Sequence, residues 1–240
     1  SALVYPAFIT VATIGVSAML TVYIFPKVMP IFTSLNVKLP FTTVVLLFLS
    51  NFLKDYGLYL LGGLIISGIA FIIAMRKIKP FHYFVALVIL KLPIIGNLVK
   101  NYNMANFCRT WSLLLKSGFS VVEACTITSD STANPVYQAE CLHLGDRIVR
   151  GDRISKYLNE KPQLFPDIVR HMVAIGETSG TLSDTLMYLS DHYEAEVDDL
   201  IKNLSNSIEP VLMIFMGFVV GFVAVSIITP IYEVTQHLGK

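Results

Sequence analysis

Charge is what this chain lacks most. Lys, Arg, Asp and Glu make up 15% of its 240 residues and mean hydropathy is +0.65, whereas about a quarter of an ordinary soluble domain is charged. The deficit excludes such a domain and indicates an integral membrane protein. Net charge is only +1, so no basic excess points to nucleic acid as a partner. Cysteine is sparse as well: Cys108, Cys125 and Cys141 are widely spaced, odd in number and without a C-x-x-C pair. They fit reduced thiols in a cytoplasmic core better than a disulfide framework.

The usual catalytic signatures are also missing. The five histidines (His82, His143, His171, His192 and His237) are scattered, with no H-E-x-x-H, so no zinc site can be assembled from the sequence. Neither a G-x-x-x-x-G-K-[ST] loop nor a G-x-S-x-G elbow occurs. Their absence removes P-loop nucleotide hydrolysis and the commonest serine-hydrolase geometry. No catalytic residue, cofactor or metal is assigned. Alternating strand patterns of useful length are absent too, so the expected fold is all-α.

Long apolar sequence is what the chain has in abundance. The run between Pro6 and Pro26 and the run between Pro210 and Pro230 hold no Lys, Arg, Asp, Glu or His. Each is long enough to cross a bilayer as a helix. The two proline pairs share one spacing, displaced by 204 positions (210 − 6 and 230 − 26). Position and residue type match although few individual residues do, which points to a duplicated unit. A soluble helical region precedes the second copy and nothing precedes the first, so the expectation is that an upstream soluble domain is missing. A signal peptide is the competing reading of the first run. The length of that run and the lack of a basic flank count against it.

Residues 1–25 are expected to form transmembrane helix 1. Residues 26–56 then make an extracytoplasmic loop, broken by Pro26, Pro30 and Pro40, and an amphipathic segment that lies at the interface or extends the next helix. Residues 57–75 form transmembrane helix 2, and 76–208 a cytoplasmic helical bundle. Residues 209–232 form transmembrane helix 3, followed by an extracytoplasmic tail over 233–240. The orientation follows from Arg76, Lys77 and Lys79, the densest basic cluster beside any span. Within the bundle, Ser120 and Glu123 are spaced as a capping box, and Asn134-Pro135 as an N-cap with proline at the first helical position. From Leu182 through Leu186, Leu189, Tyr193, Val197, Leu200 and Leu204 to Ile208, apolar residues recur at steps of three or four, a single helical stripe.

One local motif stands out, Ala174-Ile-Gly-Glu-Thr-Ser-Gly-Thr-Leu182 and its continuation to Leu186. Gly176 is expected to end one helix in a left-handed conformation, and Gly180 to relieve the reversal that follows. Thr178, Ser179 or Thr181 would cap the next helix, with Asp184 completing a box from Thr181. Glu177 would sit in the turn, near a positive helix N-terminus. The plain reading is a well-capped hairpin. The sharper readings are a docking or hinge surface centred on Glu177, or a catalytic carboxylate. The acidic run Glu194, Glu196, Asp198 and Asp199 reads as a solvated helix face, a target for a basic partner, or a divalent-cation site shared between subunits.

These residues carry a likeness. Gly176-Glu-x-Ser179-Gly180-x-Leu182, Glu209-Pro210 at the entry to the last span and Pro230-Ile231 at its exit resemble the inner-membrane platform proteins of type IV pilus and type II secretion systems. Leu114-Leu-Lys-Ser-Gly-Phe-Ser-Val-Val-Glu-Ala124, Asn134 and Phe165-Pro166 are similar to further family motifs, in the same order along nearly the whole chain. The resemblance implies a platform protein without catalysis of its own.

 Such platforms pair two homologous cytoplasmic bundles with three membrane helices, and this chain departs from the pattern in lacking the first bundle. The implied partners are a cytoplasmic assembly ATPase, pilin or pseudopilin, other inner-membrane assembly proteins and further copies of the same chain. A small transporter or channel subunit is the competing class, and it requires a polar pathway that the spans do not display.

Overall fold

The computed structural model describes residues 4–19, 23 and 41–238, and among these no residue lies in a strand. The described helices are α1 (Val4–Met19), α2 (Phe41–Lys77), α3 (Lys79–Lys91), α4 (Ile95–Lys116), α5 (Val121–Ser131), α6 (Pro135–Val149), α7 (Ile154–Glu160), α8 (Asp167–Ser179) and α9 (Leu182–Leu238). The proline-broken stretch 26–40 lies outside the described residues. Among the described residues two helices are long and apolar enough to cross a membrane, α2 and the Leu182–Ser226 portion of α9. The protein is thus an all-α membrane protein. Helix α1 carries no charged residue in its 16 positions; the rest of that run, apart from Tyr23, lies outside the described residues.

The amphipathic stretch from Thr42 and the apolar stretch from Gly57 form one uninterrupted helix, α2. Continuation of the helix satisfies each backbone amide internally, which a break at the edge of an apolar medium would not. Pro210 likewise does not interrupt α9, which runs on to Leu238. Membrane helices tolerate proline where another group satisfies the carbonyl four residues back. At Pro230 that group is visible: the carbonyl of Ser226 accepts a hydrogen bond from the fully buried Thr43 hydroxyl at 2.9 Å. Leu46 and Val223 pack beside this bond.

The described residues fall into two compact units, one drawn from residues up to Ala70 and from Asn203 onward, the other running from Phe71 to Lys202. The second unit is the helical bundle. Its centre is a run of aromatic contacts: Trp111 to Phe107 at 4.7 Å between centroids, Phe107 to Phe165 at 5.9 Å, and Phe165 to Tyr137 at 6.1 Å. Leu144, Leu158, Val169, Val173, Leu186 and Leu189 close around them. Burial pushes the Cys125 and Cys141 thiols up to about 12, so both stay protonated and act as small core residues.

Local signals set the helix starts. Ser120 and Glu123 form a complete capping box at α5, and the Asn134 side chain accepts from the Val136 amide ahead of α6. Helices α4 and α9 are joined by a polar seam. The Ser112 hydroxyl donates to the Ser183 carbonyl at 2.6 Å, and the Ser190 hydroxyl to the Ala105 carbonyl at 3.1 Å. Arg109 adds bonds to Ser190 and Glu194, and Lys116 pairs with Asp184 at 3.0 Å. Small hydroxyl side chains let two helices approach closely while the Ser112 and Ser190 hydroxyls stay bonded.

Candidate functional site

Helix α8 is built to place one face on α9 and another on α7. It does not end at Gly176: the helix continues to Ser179, and the residue in the left-handed region is Gly180, at φ +76°. The Gly180 amide and, at 3.0 Å, the Thr181 amide both donate to the Gly176 carbonyl, which closes the helix. Gly176 has another task. A Cβ built on it would lie 2.8 Å from Thr185 Oγ1 and 3.1 Å from Leu182 Cα. The absent side chain is therefore what allows α8 to press against the first turns of α9.

Glu177 follows on the adjoining face. Its Oε1 accepts from the Ile154 amide at 2.8 Å, and its Oε2 accepts from the Ser155 amide at 3.1 Å and the Ser155 hydroxyl at 2.6 Å. These amides open α7, whose N-cap residue Arg153 offers no capping side chain of its own. Glu177 thus supplies the cap from 22 or more residues away in sequence, placing negative charge at a positive helix end. The helix end is that of α7, not of α9 as the turn position suggested.

The remaining motif residues divide between exposed and packed positions. Thr178, Ser179 and Gly180 form an exposed tip, and Ile175 beside them is 61% exposed. Ser179 donates to the Ile175 carbonyl at 2.8 Å and shares a 2.7 Å contact with the Thr181 hydroxyl. Asp184 pairs with Lys116, rather than completing a box from Thr181. Leu182 opens α9 and packs half-buried against the bundle core. Glu209 and Pro210 are exposed positions inside α9, and Pro230 lies in its backbone, all three belonging to the other unit. In the acidic run Glu194 pairs with Arg109, and Asp199 lies 3.8 Å from Lys202. Among the described residues no group of three or more acidic, His or Cys side chains is arranged to hold a metal.

Sequence reasoning missed the charged network beside α7. Glu140 is buried, accepts from the Tyr157 hydroxyl at 2.6 Å and pairs with Lys161 at 3.0 Å. Arg147 bridges Asp152 at 2.5 Å and Glu160 at 2.8 Å, and Lys156 reaches Asp152 at 2.7 Å. The Asp152 carboxyl is held below its usual range, by the hydrogen bond from Lys156 first and by Arg147 second. Only Asp152 and Lys156 have a telling i,i+4 spacing; the other partners are joined through turns. A cleft of about 540 Å³ also opens between α3, α4 and the turn before α6, with His82, Asn103, Asn106, Thr110 and Asn134 among its lining residues.

An all-α membrane protein whose spanning helix begins in a glycine-fitted hairpin defines a class of bundle-bearing membrane scaffold. The chain belongs to the type II secretion system protein F family, whose sequence profile matches residues 107–230. It is 34% identical, along its whole length, to a type IV pilus assembly protein PilC of Thermus thermophilus, covering 59% of that protein. It is 29% identical over 99% of its length to the type IV pilus assembly protein TapC of Aeromonas hydrophila, covering 57%. Against a type II secretion system protein F of the same organism the identity is 30%, with 99% of this chain and 61% of the relative covered. The chain thus spans about three fifths of the length of the curated relatives it matches.

Three outcomes follow from this geometry. Gly176→Val is expected to lower the stability of the bundle by about 1–3 kcal/mol through overpacking, and Gly180→Ala by about 1–2 kcal/mol through its left-handed backbone; thermal melting in detergent reads both, and unchanged midpoints would show that neither glycine is required. Glu177→Ala should cost about 1 kcal/mol of helix capping and speed hydrogen exchange at Ile154 and Ser155 before other bundle amides. Equal protection in the variant would remove the cap from the account. The depressed Asp152 carboxyl stabilises the fold above the unfolded carboxylate range, and this contribution is lost as pH falls through its lower folded value. Asp152→Asn should therefore flatten the acid side of the stability–pH curve, and a curve of unchanged slope would contradict the linkage.

Proposed function

We propose that this chain is a platform protein of type IV pilus biogenesis or type II secretion, coupling a cytoplasmic assembly ATPase to the insertion of pilin or pseudopilin subunits into a growing fibre. The family membership and the names of the relatives support this reading. One structural observation carries the coupling: the helix that starts in the hairpin at Leu182 is the same helix that supplies the apolar span. A displacement imposed on the hairpin therefore meets a continuous hydrogen-bonded rod instead of a loop. The chain works mechanically in this scheme, without a catalytic residue or cofactor of its own.

The proposed setting is the bacterial inner membrane, with α1 completing a set of three spans. The basic cluster of Arg76, Lys77 and Lys79 supports a cytoplasmic bundle, with the C-terminus on the far side. Other inner-membrane assembly proteins and further copies of the chain are the expected neighbours. Within the motif, Gly176, Glu177, Gly180 and Leu182 shape the hairpin, while Ser179 and its exposed neighbours are the part that a partner can reach. Glu209, Pro210 and Pro230 belong to the transmitting helix.

Insertion of a Gly-Gly pair after Leu204 tests the coupling. The expected variant folds, reaches the membrane at normal levels and fails to assemble fibres; normal assembly would sink the rod mechanism. A photoreactive residue at Ser179 in cells separates the partners. Capture of the assembly ATPase or a pilin supports the platform reading, and capture of an unrelated transport complex would reverse it.

A further inference from the structure

Helix α3 is apolar on both faces. Ala86 and Leu90 turn into the bundle core, while Phe84, Val88 and Leu92, spaced four apart on the opposite face, are 63%, 45% and 42% exposed. Ile94 and Ile95 extend the exposed apolar surface into the elbow before α4. Core packing does not account for this face, and water is a poor cover for it. At 13 residues α3 is too short to cross a bilayer, and its other face is already committed to the bundle.

The charge around this face is of one sign. Between Asp55 and Glu123 the chain contains no Asp or Glu. Two of the basic residues there, Arg109 and Lys116, are matched by Asp191, Glu194 and Asp184 on α9. Among the described residues the ion pairs leave Arg76, Lys77, Lys79, Lys91 and Lys100 without a carboxylate. Arg76 and Lys77 end α2, Lys79 and Lys91 begin and end α3, and Lys100 lies in the first turns of α4. An apolar strip flanked by unpaired cations complements a surface that is anionic outside and hydrocarbon within.

In the chain, α3 follows directly on a helix that is a candidate to cross such a surface. Only Ile78 separates it from α2, a helix long and apolar enough to span the membrane. Backbone bonds cross the junction, from the Ile78 amide to the Ala74 carbonyl at 2.9 Å and from the His82 amide to the Ile78 carbonyl at 3.0 Å. Phe71 meets Phe81 edge-on at 5.8 Å, fixing the start of α3 against the last turns of α2. Beyond Lys91 the chain bends by 108° into α4.

We propose that α3 and its elbow lie in the membrane interface. Phe84, Val88, Leu92, Ile94 and Ile95 enter the acyl boundary, and the five unpaired cations bind anionic phospholipid headgroups. This docking is independent of any role in fibre assembly, since it concerns the bilayer alone.

The test places a nitroxide at Val88→Cys in the full chain, with Val149→Cys, 70% exposed at the end of α6, as the reference site. The native cysteines are buried and need not be removed. In vesicles of phosphatidylcholine and phosphatidylglycerol, the Val88 probe should lose contact with a water-soluble nickel relaxer and gain contact with oxygen, while the Val149 probe stays aqueous. In phosphatidylcholine alone, or with Lys79, Lys91 and Lys100 all changed to Gln, the Val88 probe should move toward water. A probe at Val88 as accessible to nickel as the one at Val149 would overturn the proposal. So would equal immersion in neutral and anionic vesicles, which removes the headgroup contacts. A probe that is aqueous in both vesicles but shielded by an added acidic protein would assign the surface to a protein partner instead.

Discussion

At Gly176 the backbone of α8 lies so close to α9 that a single methyl group would collide with Thr185 and the Leu182 Cα. The arrangement of the hairpin depends on that contact. It fixes the rotation of α8, and with it the direction in which the next residue, Glu177, projects. Helix α7 has only seven residues and too few internal bonds to stand alone; its first amides find their acceptor because Glu177 is held there. The same contact seats the first turn of α9, where Ser112 and Lys116 of α4 then reach Ser183 and Asp184. Helices α8 and α4 are therefore registered directly against the first turns of α9, and α7 is tied to them through Glu177.

The other recurring constraint is that a buried backbone group must have a partner. The two units meet it by similar means. In the bundle a carboxylate closes the open amides of α7; in the apolar unit a hydroxyl closes the carbonyl that Pro230 leaves open. A carboxylate suits the first case because α7 presents partial positive charge at the bundle surface. A neutral hydroxyl suits the second, since it satisfies the carbonyl without burying a charge among apolar side chains such as Leu46 and Val223. Glu140 is the case in which a charge is buried within the bundle, and it is held by Tyr157 and Lys161 together.

Much of the fold was legible in the sequence because the deciding signals are local. Ser120 with Glu123, and Asn134 with Pro135, state where helices begin, and their own side chains carry out the capping. Gly176 was misleading for a physical reason. Two glycines four residues apart both satisfy a helix-stop rule, and only the tertiary contact with Thr185 shows that the first serves close packing. Pro210, which would end a helix in water, is passed through by α9 without a break. The charge of Glu177 near a helix N-terminus was readable, but its helix was not, because the partner amides lie on the far side of the 161–166 turn. The seam from Arg109 to Glu194 spans 85 residues and has no local signature at all.

What distinguishes α9 is how unevenly it is held. Leu186, Leu189, Ser190 and Tyr193 are buried, whereas Glu194, Glu196, Asp198, Asp199, Ile201, Lys202 and Asn203 are exposed. The pair between Asp199 and Lys202 is solvent-facing and contributes little. Helical structure through this stretch is therefore propagated from its packed first turns more than it is stabilised where it stands. Pro210 adds a second asymmetry, because it cannot donate to the carbonyl of Asn206 and so removes one backbone bond from the rod. On the proposed reading, the stiff origin at the Gly176 contact would be where force is received. The rest of the helix would carry it onward, with one backbone bond fewer at Asn206–Pro210 but no break in the helix.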